Sequence, residues 1–330
     1  MNVRQSSIAC SVTSNPTNMK KVGIIGGAGF IGSYNTKKFL EEGYQVKVSV
    51  TDLSKPEKYE HLLQLPHAEN LEIVELDVTN TGQLGPFLQG CQIVIHGGTP
   101  FQLDVQDPQS ELFDPTIKGT ENFLAAVQQT PGIEKVVFIA SVAAHNTNFP
   151  LLPDGKNEGD VISEEDTLFM SEEGHPYAQA KFIANQTVEK FIRENPDLSF
   201  EIVTVCPVGV MGNALSARQD STSMGIQFLF KNKIAPNPFF QMFYDNDIYF
   251  ALVDVADVAE GVYKAAILNG LHGKKYLLSS ESYRVSDIHR ILNDQEPVIG
   301  PAIVYSNALA KQDLGMEFKP ASVPLHEFAG

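Results

Sequence analysis

Gly26-Gly27-Ala28-Gly29-Phe30-Ile31-Gly32 stands between the apolar run Val22-Gly23-Ile24-Ile25 and an amphipathic stretch carrying Ile31, Phe39 and Leu40. Strand, glycine turn and helix in that order form the context in which a glycine fingerprint signals dinucleotide binding. Glycines let the backbone turn tightly and approach a pyrophosphate, and the free N–H groups of the following helix meet the anion. A turn with a purely structural role has the same local pattern, so the rest of the chain has to supply the chemistry.

Working outward, apolar runs recur at Val46 to Val50, Leu71 to Leu76, Ile93 to Ile95, Val136 to Ala140 and Ile202 to Cys206. Most are continuous rather than alternating, as in strands covered on both faces. Between them the pattern predicts helices near 31–42, 56–65, 115–129 and 177–194. This rhythm gives an α/β class with a doubly wound parallel sheet. After Cys206 it changes. Phe228 to Phe250 is dense in aromatics, contains Pro236 and Pro238, and reads as a loop-rich cap over a pocket. The expected division is an N-terminal extension over 1–18, a dinucleotide domain over 19–206 with segments returning from the C-terminal half, and a mainly substrate-binding lobe over 207–330.

Tyr177-Ala178-Gln179-Ala180-Lys181 places a phenol and an ammonium on one helix face. Tyrosine titrates near about 10, and a neighbouring cation favours phenolate, so the spacing predicts a lowered Tyr177 pKa and proton exchange with a carbonyl or alcohol oxygen. Ser141 ends the run Val136-Val137-Phe138-Ile139-Ala140. Ligands of open α/β sheets bind beyond the carboxyl ends of strands, so its hydroxyl is expected at the cleft, orienting a substrate oxygen.

In their order and spacing these features resemble the extended short-chain dehydrogenase/reductase superfamily over roughly residues 20–320. The register Gly26-x-x-Gly29-x-x-Gly32 is its extended form. Asp77-Val78 resembles the pair that contacts adenine. Ile95-His96-Gly97-Gly98-Thr99-Pro100 is similar to the segment beside the nicotinamide ribose. Gly119-Thr120-Glu121-Asn122 and Pro207-Val208-Gly209-Val210-Met211-Gly212 match two further family segments. His61-Leu62-Leu63-Gln64-Leu65-Pro66, Tyr276-Leu277-Leu278-Ser279-Ser280-Glu281 and Asp313-Leu314-Gly315 point to the dihydroflavonol reductase and cinnamoyl-CoA reductase branch.

The resemblance implies Ser141, Tyr177 and Lys181 as the catalytic triad, with Tyr177 and Lys181 also touching the cofactor. It implies cofactor contacts at Gly26, Gly29, Phe30, Ile31, Gly32, Val78, Asp77, Gly97, Thr99 and Pro207. Phe101, Val142 and Val208 are expected to line the substrate pocket by motif position, which suggests an apolar or aromatic carbonyl compound. The branch usually carries Arg just past the second strand for the 2′-phosphate of NADP. Here Thr51 stands there, followed by Asp52, an acid suited to the ribose hydroxyl of NAD. Lys55 and Lys58 are the cations left to reach a 2′-phosphate. NADP, the branch's habit, and NAD both stay open. The chain has no Trp, and the branch's tryptophans are missing with it.

The net charge of −16 argues against nucleic acid and anionic membranes as partners. No apolar run is long enough to span a bilayer. The three cysteines, Cys10, Cys91 and Cys206, are scattered without metal or disulfide spacing; Cys91 and Cys206, beside apolar runs, read as core thiols, and a reducing cytoplasm is expected. No metal site is expected. Asp254 and Asp257 read as helix-start carboxylates, and His96 and His175 as structural or cofactor-side residues.

The expected function is reduction of an apolar or aromatic ketone or aldehyde by a monomer or homodimer acting on a small carbonyl or alcohol substrate. A sugar-nucleotide epimerase and a non-catalytic NAD(P)-binding regulator are the alternatives. Dehydratase chemistry lacks its acid pair, since Val142-Ala143-Ala144 follows Ser141.

Overall fold

Seven strands form one parallel sheet in a computed structural model that describes residues 19–97, 107–218 and 221–329. They are β1 (Lys21–Ile25), β2 (Gln45–Val50), β3 (Leu71–Glu75), β4 (Ile93–His96), β5 (Lys135–Ile139), β6 (Glu201–Pro207) and β9 (Lys275–Leu278). Their order is β3-β2-β1-β4-β5-β6-β9. The chain winds outward one way from β1 to β3, then returns to place β4 on the other side of β1. The crevice at that reversal is where ligands of such sheets bind.

Alternate residues of each strand feed opposite faces. Val137 and Ile139 join a cluster with Val22, Ile24, Val46, Val48 and Phe39 beneath α1 (Phe30–Glu41) and α7 (Val255–Ile267). Val136 and Phe138 join the other cluster with Val94, Phe87, Phe123 and Val188, under α2 (Thr81–Leu88), α3 (Asp114–Gln129) and α4 (Pro176–Glu194). Cys91 and Cys206 are free and buried in these cores.

One local expectation is corrected, and one helix was not anticipated. Residues 56–65 form two short 3-10 turns, Pro56–Lys58 and Glu60–Gln64, with Leu62 as their buried anchor. One buried side chain is too little apolar surface to hold an amphipathic α-helix. Conversely α2 had no clear sequence signal, because Gly82, Gly85 and Pro86 lower its helix propensity. Asn80 caps it, accepting from Gly82 N at 3.0 Å, and Leu84, Phe87 and Leu88 bury its inner face.

A second sheet, β10-β8-β7, is built from β7 (Gly209–Met211), β8 (Tyr249–Asp254) and β10 (Glu281–Arg284). The aromatic stretch expected as loops is largely helical: α5 (Thr222–Asn232) and α6 (Pro238–Asp245). Ser221 and Asn237 cap these helices through Met224 N and Phe240 N, and Pro238 sits in the first turn, where it lacks no needed N–H. Phe230, Phe243 and Phe250 are buried in the lobe's own core, while Phe228 and Phe239 are exposed. α8 (Val285–Ile291), α9 (Ala308–Leu314) and α10 (Ser322–Ala329) complete the C-terminal region. Asp254 caps α7, accepting from Ala256 N at 2.8 Å, as its position before the helix predicted. Among the described residues no helix is long and apolar enough to cross a membrane.

Candidate active site

The glycine run turns tightly where β1 meets α1. Gly26 has φ of 77°, the left-handed region, and Ser49 Oγ accepts from its N–H at 3.1 Å. A Cβ on Gly32 would come within 2.1 Å of Gly26 O, so α1 can approach the turn only with hydrogen at that position. Gly29 N donates to the same carbonyl at 3.1 Å.

A groove of about 590 Å³ opens above this turn. Gly26, Gly29, Thr51, Lys58, Asp77, Val78 and Gly97 line it, all of them expected cofactor contacts. Ser49, Thr79 and Arg218 line it too. Arg218 escaped sequence reading because it lies in a segment with no motif, far along the chain from the glycines. Phe30, Ile31 and Gly32 form the first turn of α1 behind the groove, and Pro207 is buried at the end of β6 beside Leu278. Thr99 and Phe101 lie outside the described residues.

The groove lies at the glycine turn before α1 and at the carboxyl ends of β1 and β2, where open α/β sheets take nucleotides. Asp77 accepts from Thr79 N and Oγ at 2.9 and 2.7 Å, and those bonds hold its carboxyl below the usual range. Asp52 does not line the groove. It accepts from Ser54 Oγ at 2.6 Å and Ser54 N at 2.9 Å and pairs with Lys55 at 3.1 Å. The Ser54 hydroxyl, then Lys55, keep its carboxyl down at about 2.

Beyond the sheet, α4 carries Tyr177 and Lys181 one turn apart on the same face. His175 begins the helix, its Nδ1 accepting from Tyr177 N at 3.2 Å, so it is a capping residue. Lys181 is buried, and its Nζ stands 5.7 Å from the Tyr177 ring centroid. Desolvation lowers the Lys181 ammonium to about 8. Desolvation also pushes the Tyr177 phenol up to about 12, the reverse of the sequence expectation. Burial sets this shift, because the half-buried phenolate would lose its water.

Ser141 follows β5 and starts the turn Val142–Ala144, its Oγ accepting from Ala143 N at 3.2 Å. α4 packs against this turn, and Lys181 lines a small cavity together with Ala140, the residue before Ser141. Val142 and Val208 are buried in the main core. His96 stacks on Phe123 and Phe138 with centroids 4.5 and 5.1 Å away, and burial, then the Lys181 charge, hold it down at about 4. It is a neutral, packed ring. With Lys181, Thr120, Asn185 and Thr204 it borders a cavity of about 30 Å³ behind the lysine.

Residues 22–278 match the model of the NAD dependent epimerase/dehydratase family. The chain is 30% identical to cinnamoyl-CoA reductase CAD2 of Medicago truncatula over 327 residues, covering 92% of this chain and 93% of that protein. It is 33% identical over 196 residues to the bifunctional dihydroflavonol 4-reductase/flavanone 4-reductase of Pyrus communis, covering 58% and 55%. Among solved structures, Gre2 of Candida albicans in complex with NADPH superposes with a TM-score of 0.77 at 24% identity, covering 93% of this chain and 97% of that one. The chain belongs to the NAD dependent epimerase/dehydratase family, the extended short-chain dehydrogenases/reductases, and within it to the branch of the dihydroflavonol and cinnamoyl-CoA reductases, which makes it an NAD(P)-dependent oxidoreductase.

Proposed function

We propose that the protein reduces an apolar or aromatic ketone or aldehyde, with Tyr177 as the proton donor and NADPH as the preferred cofactor. The observation that supports this reading is the Tyr177–Lys181 pair on one face of α4, a helix that packs against the turn beginning at Ser141.

A reduced nicotinamide dinucleotide held in the groove would supply the hydride to the carbonyl carbon. Tyr177 supplies the proton. With its phenol raised to about 12, it is fully protonated at neutral pH, the state a reduction requires. Ser141 Oγ already accepts from Ala143 N, and its O–H is left to donate to the substrate oxygen and orient it. Lys181 holds the cofactor ribose, and its positive charge stabilises the phenolate left after the proton has gone. Lys58 and Arg218 line the groove while Asp52 is tied into its own turn, a balance that favours a phosphorylated ribose. Residues 19–206 with the returning β9 form the dinucleotide domain in this reading, and 207–330 mainly the substrate lobe. The protein acts in the cytoplasm as a monomer or homodimer. The free, buried Cys91 and Cys206 suit that reducing compartment.

The test is oxidation of NADPH and NADH against aryl aldehydes, α-ketoesters and a dihydroflavonol. Tyr177→Phe is expected to nearly abolish turnover while cofactor still binds. Turnover retained by the variant would overturn the assignment.

A further inference from the structure

The segment leaving β7 is fastened to both halves of the molecule. Tyr34 of α1 donates its hydroxyl to Asn213 O at 2.9 Å, and Asn213 Nδ2 donates to Glu327 O, beside α10's end, at 2.8 Å. Burial, then Asp254 and Glu327, push the Tyr34 phenol up to about 12, so it stays a donor. Five residues beyond Asn213, Arg218 reaches the groove that also holds Gly26, Thr51 and Lys58.

His61 locates Arg218 more closely. It lies three residues after Lys58, in the second 3-10 turn, with Nε2 2.8 Å from Ser33 Oγ. Ser33 gives its own proton to Gly29 O at 2.7 Å, so His61 Nε2 is the donor in that pair. Burial, then the charge of Arg218, lower the His61 pKa. Arg218 and Lys58 line one groove, and the charge of Arg218 is felt at His61, in the segment after β2. These two cations, from segments about 160 residues apart in sequence, share that groove. The lining acid, Asp77, is occupied by Thr79.

We propose that Arg218 joins Lys58 in binding the 2′-phosphate of the cofactor, so that the segment leaving β7 takes part in choosing between NADP and NAD. This rests on the reading that the chain uses the phosphorylated dinucleotide. A guanidinium presents a planar fork of donors that matches two phosphate oxygens at once, whereas an ammonium acts as a point charge. The ribose hydroxyl of NAD offers that fork no charge to meet.

The experiment is calorimetric titration of the full chain with NADPH and with NADH, for wild type, Arg218→Gln and Arg218→Lys. Thermal melts serve to show that all three proteins are folded. Wild type is expected to prefer NADPH. Arg218→Gln should weaken NADPH by about tenfold or more, as for loss of a charge-assisted hydrogen bond, and leave NADH unchanged. Arg218→Lys should recover part of the loss. The NADPH affinity of Arg218→Gln should also depend less steeply on salt than that of wild type. Equal weakening of both cofactors would put Arg218 on the pyrophosphate and overturn the proposal, as would no weakening of either. A wild type that binds NADH as tightly as NADPH would instead overturn the cofactor reading beneath it.

Discussion

Lys181 Nζ stands 5.7 Å from the centroid of the Tyr177 ring, and both groups are drawn away from their ordinary ionisation by burial. The lysine is lowered to about 8 and the tyrosine raised to about 12. Each is thereby shifted toward its neutral form, and the molecule bears a cost for keeping a cation at that position.

That cost has a pH signature. Unfolded, Lys181 titrates at its ordinary 10.5; folded, at about 8. Between those values the unfolded chain holds the proton and the folded one does not, so stability rises with pH across about 8 to 10.5. Below about 8 the burial penalty is fully present. The displacement corresponds to about 3 kcal/mol. Cofactor-free Lys181→Met is expected to lose this rise and to be more stable than wild type at pH 7. Urea denaturation of both proteins at pH 7 and pH 10 checks it, and parallel pH trends would speak against a desolvated lysine.

Gly32→Ala should be severe. The new Cβ would lie 2.1 Å from Gly26 O, a carbonyl already accepting from Gly29 N, so relief would require α1 to move from the turn. The expected loss is about 3 kcal/mol, at the upper end for overpacking, together with weakened cofactor binding. A thermal melt and a titration with NADPH measure the two effects. A wild-type melting temperature would contradict the close approach.

Asp52→Asn should leave the NADPH to NADH preference unchanged. The carboxylate serves Ser54 and Lys55 in its own exposed turn and does not line the groove. Binding titrations with both cofactors decide it. A selective loss of NADH affinity would mean that the acid meets the ribose after all.

Glu201→Ala should destabilise by about 3 kcal/mol, because it takes the counter-charge from the buried Lys135 ammonium and leaves it the Leu268 carbonyl. Burial alone would raise the Glu201 pKa, yet the bond from Lys135 and the amides of Gly270 and Leu271 bring it below the ordinary value. The double variant Lys135→Met/Glu201→Leu is expected to regain most of the loss, since no unpaired charge then remains inside. Denaturant midpoints of the three proteins provide the comparison.

How much could be read in advance varied with the range of the forces involved. Val46 to Val50 and Val136 to Ala140 were plain as strands because a strand covered on both faces must be apolar throughout. α2 was not plain. Its glycines and Pro86 argue locally against a helix, and only the sheet face that buries Leu84, Phe87 and Leu88 outweighs them. Phe228 to Phe250 misled for a related reason: Pro238 looks like a helix breaker until it is seen in the first turn of α6.

By itself the sequence determined what short-range chemistry dictates. The Gly26 to Gly32 turn, the i and i+4 pairing of Tyr177 with Lys181, and Ser141 at a strand end each follow from spacing within one element. Only the tertiary structure decided how those groups are charged and what else joins them. The Tyr177 pKa depends on burial, which no local pattern reports, and Asp52 had two readings until its turn was formed. Arg218 reaches the groove from a segment that Tyr34 fastens to α1 at Asn213 across 179 positions of sequence, a contact of folded surfaces rather than of neighbouring residues.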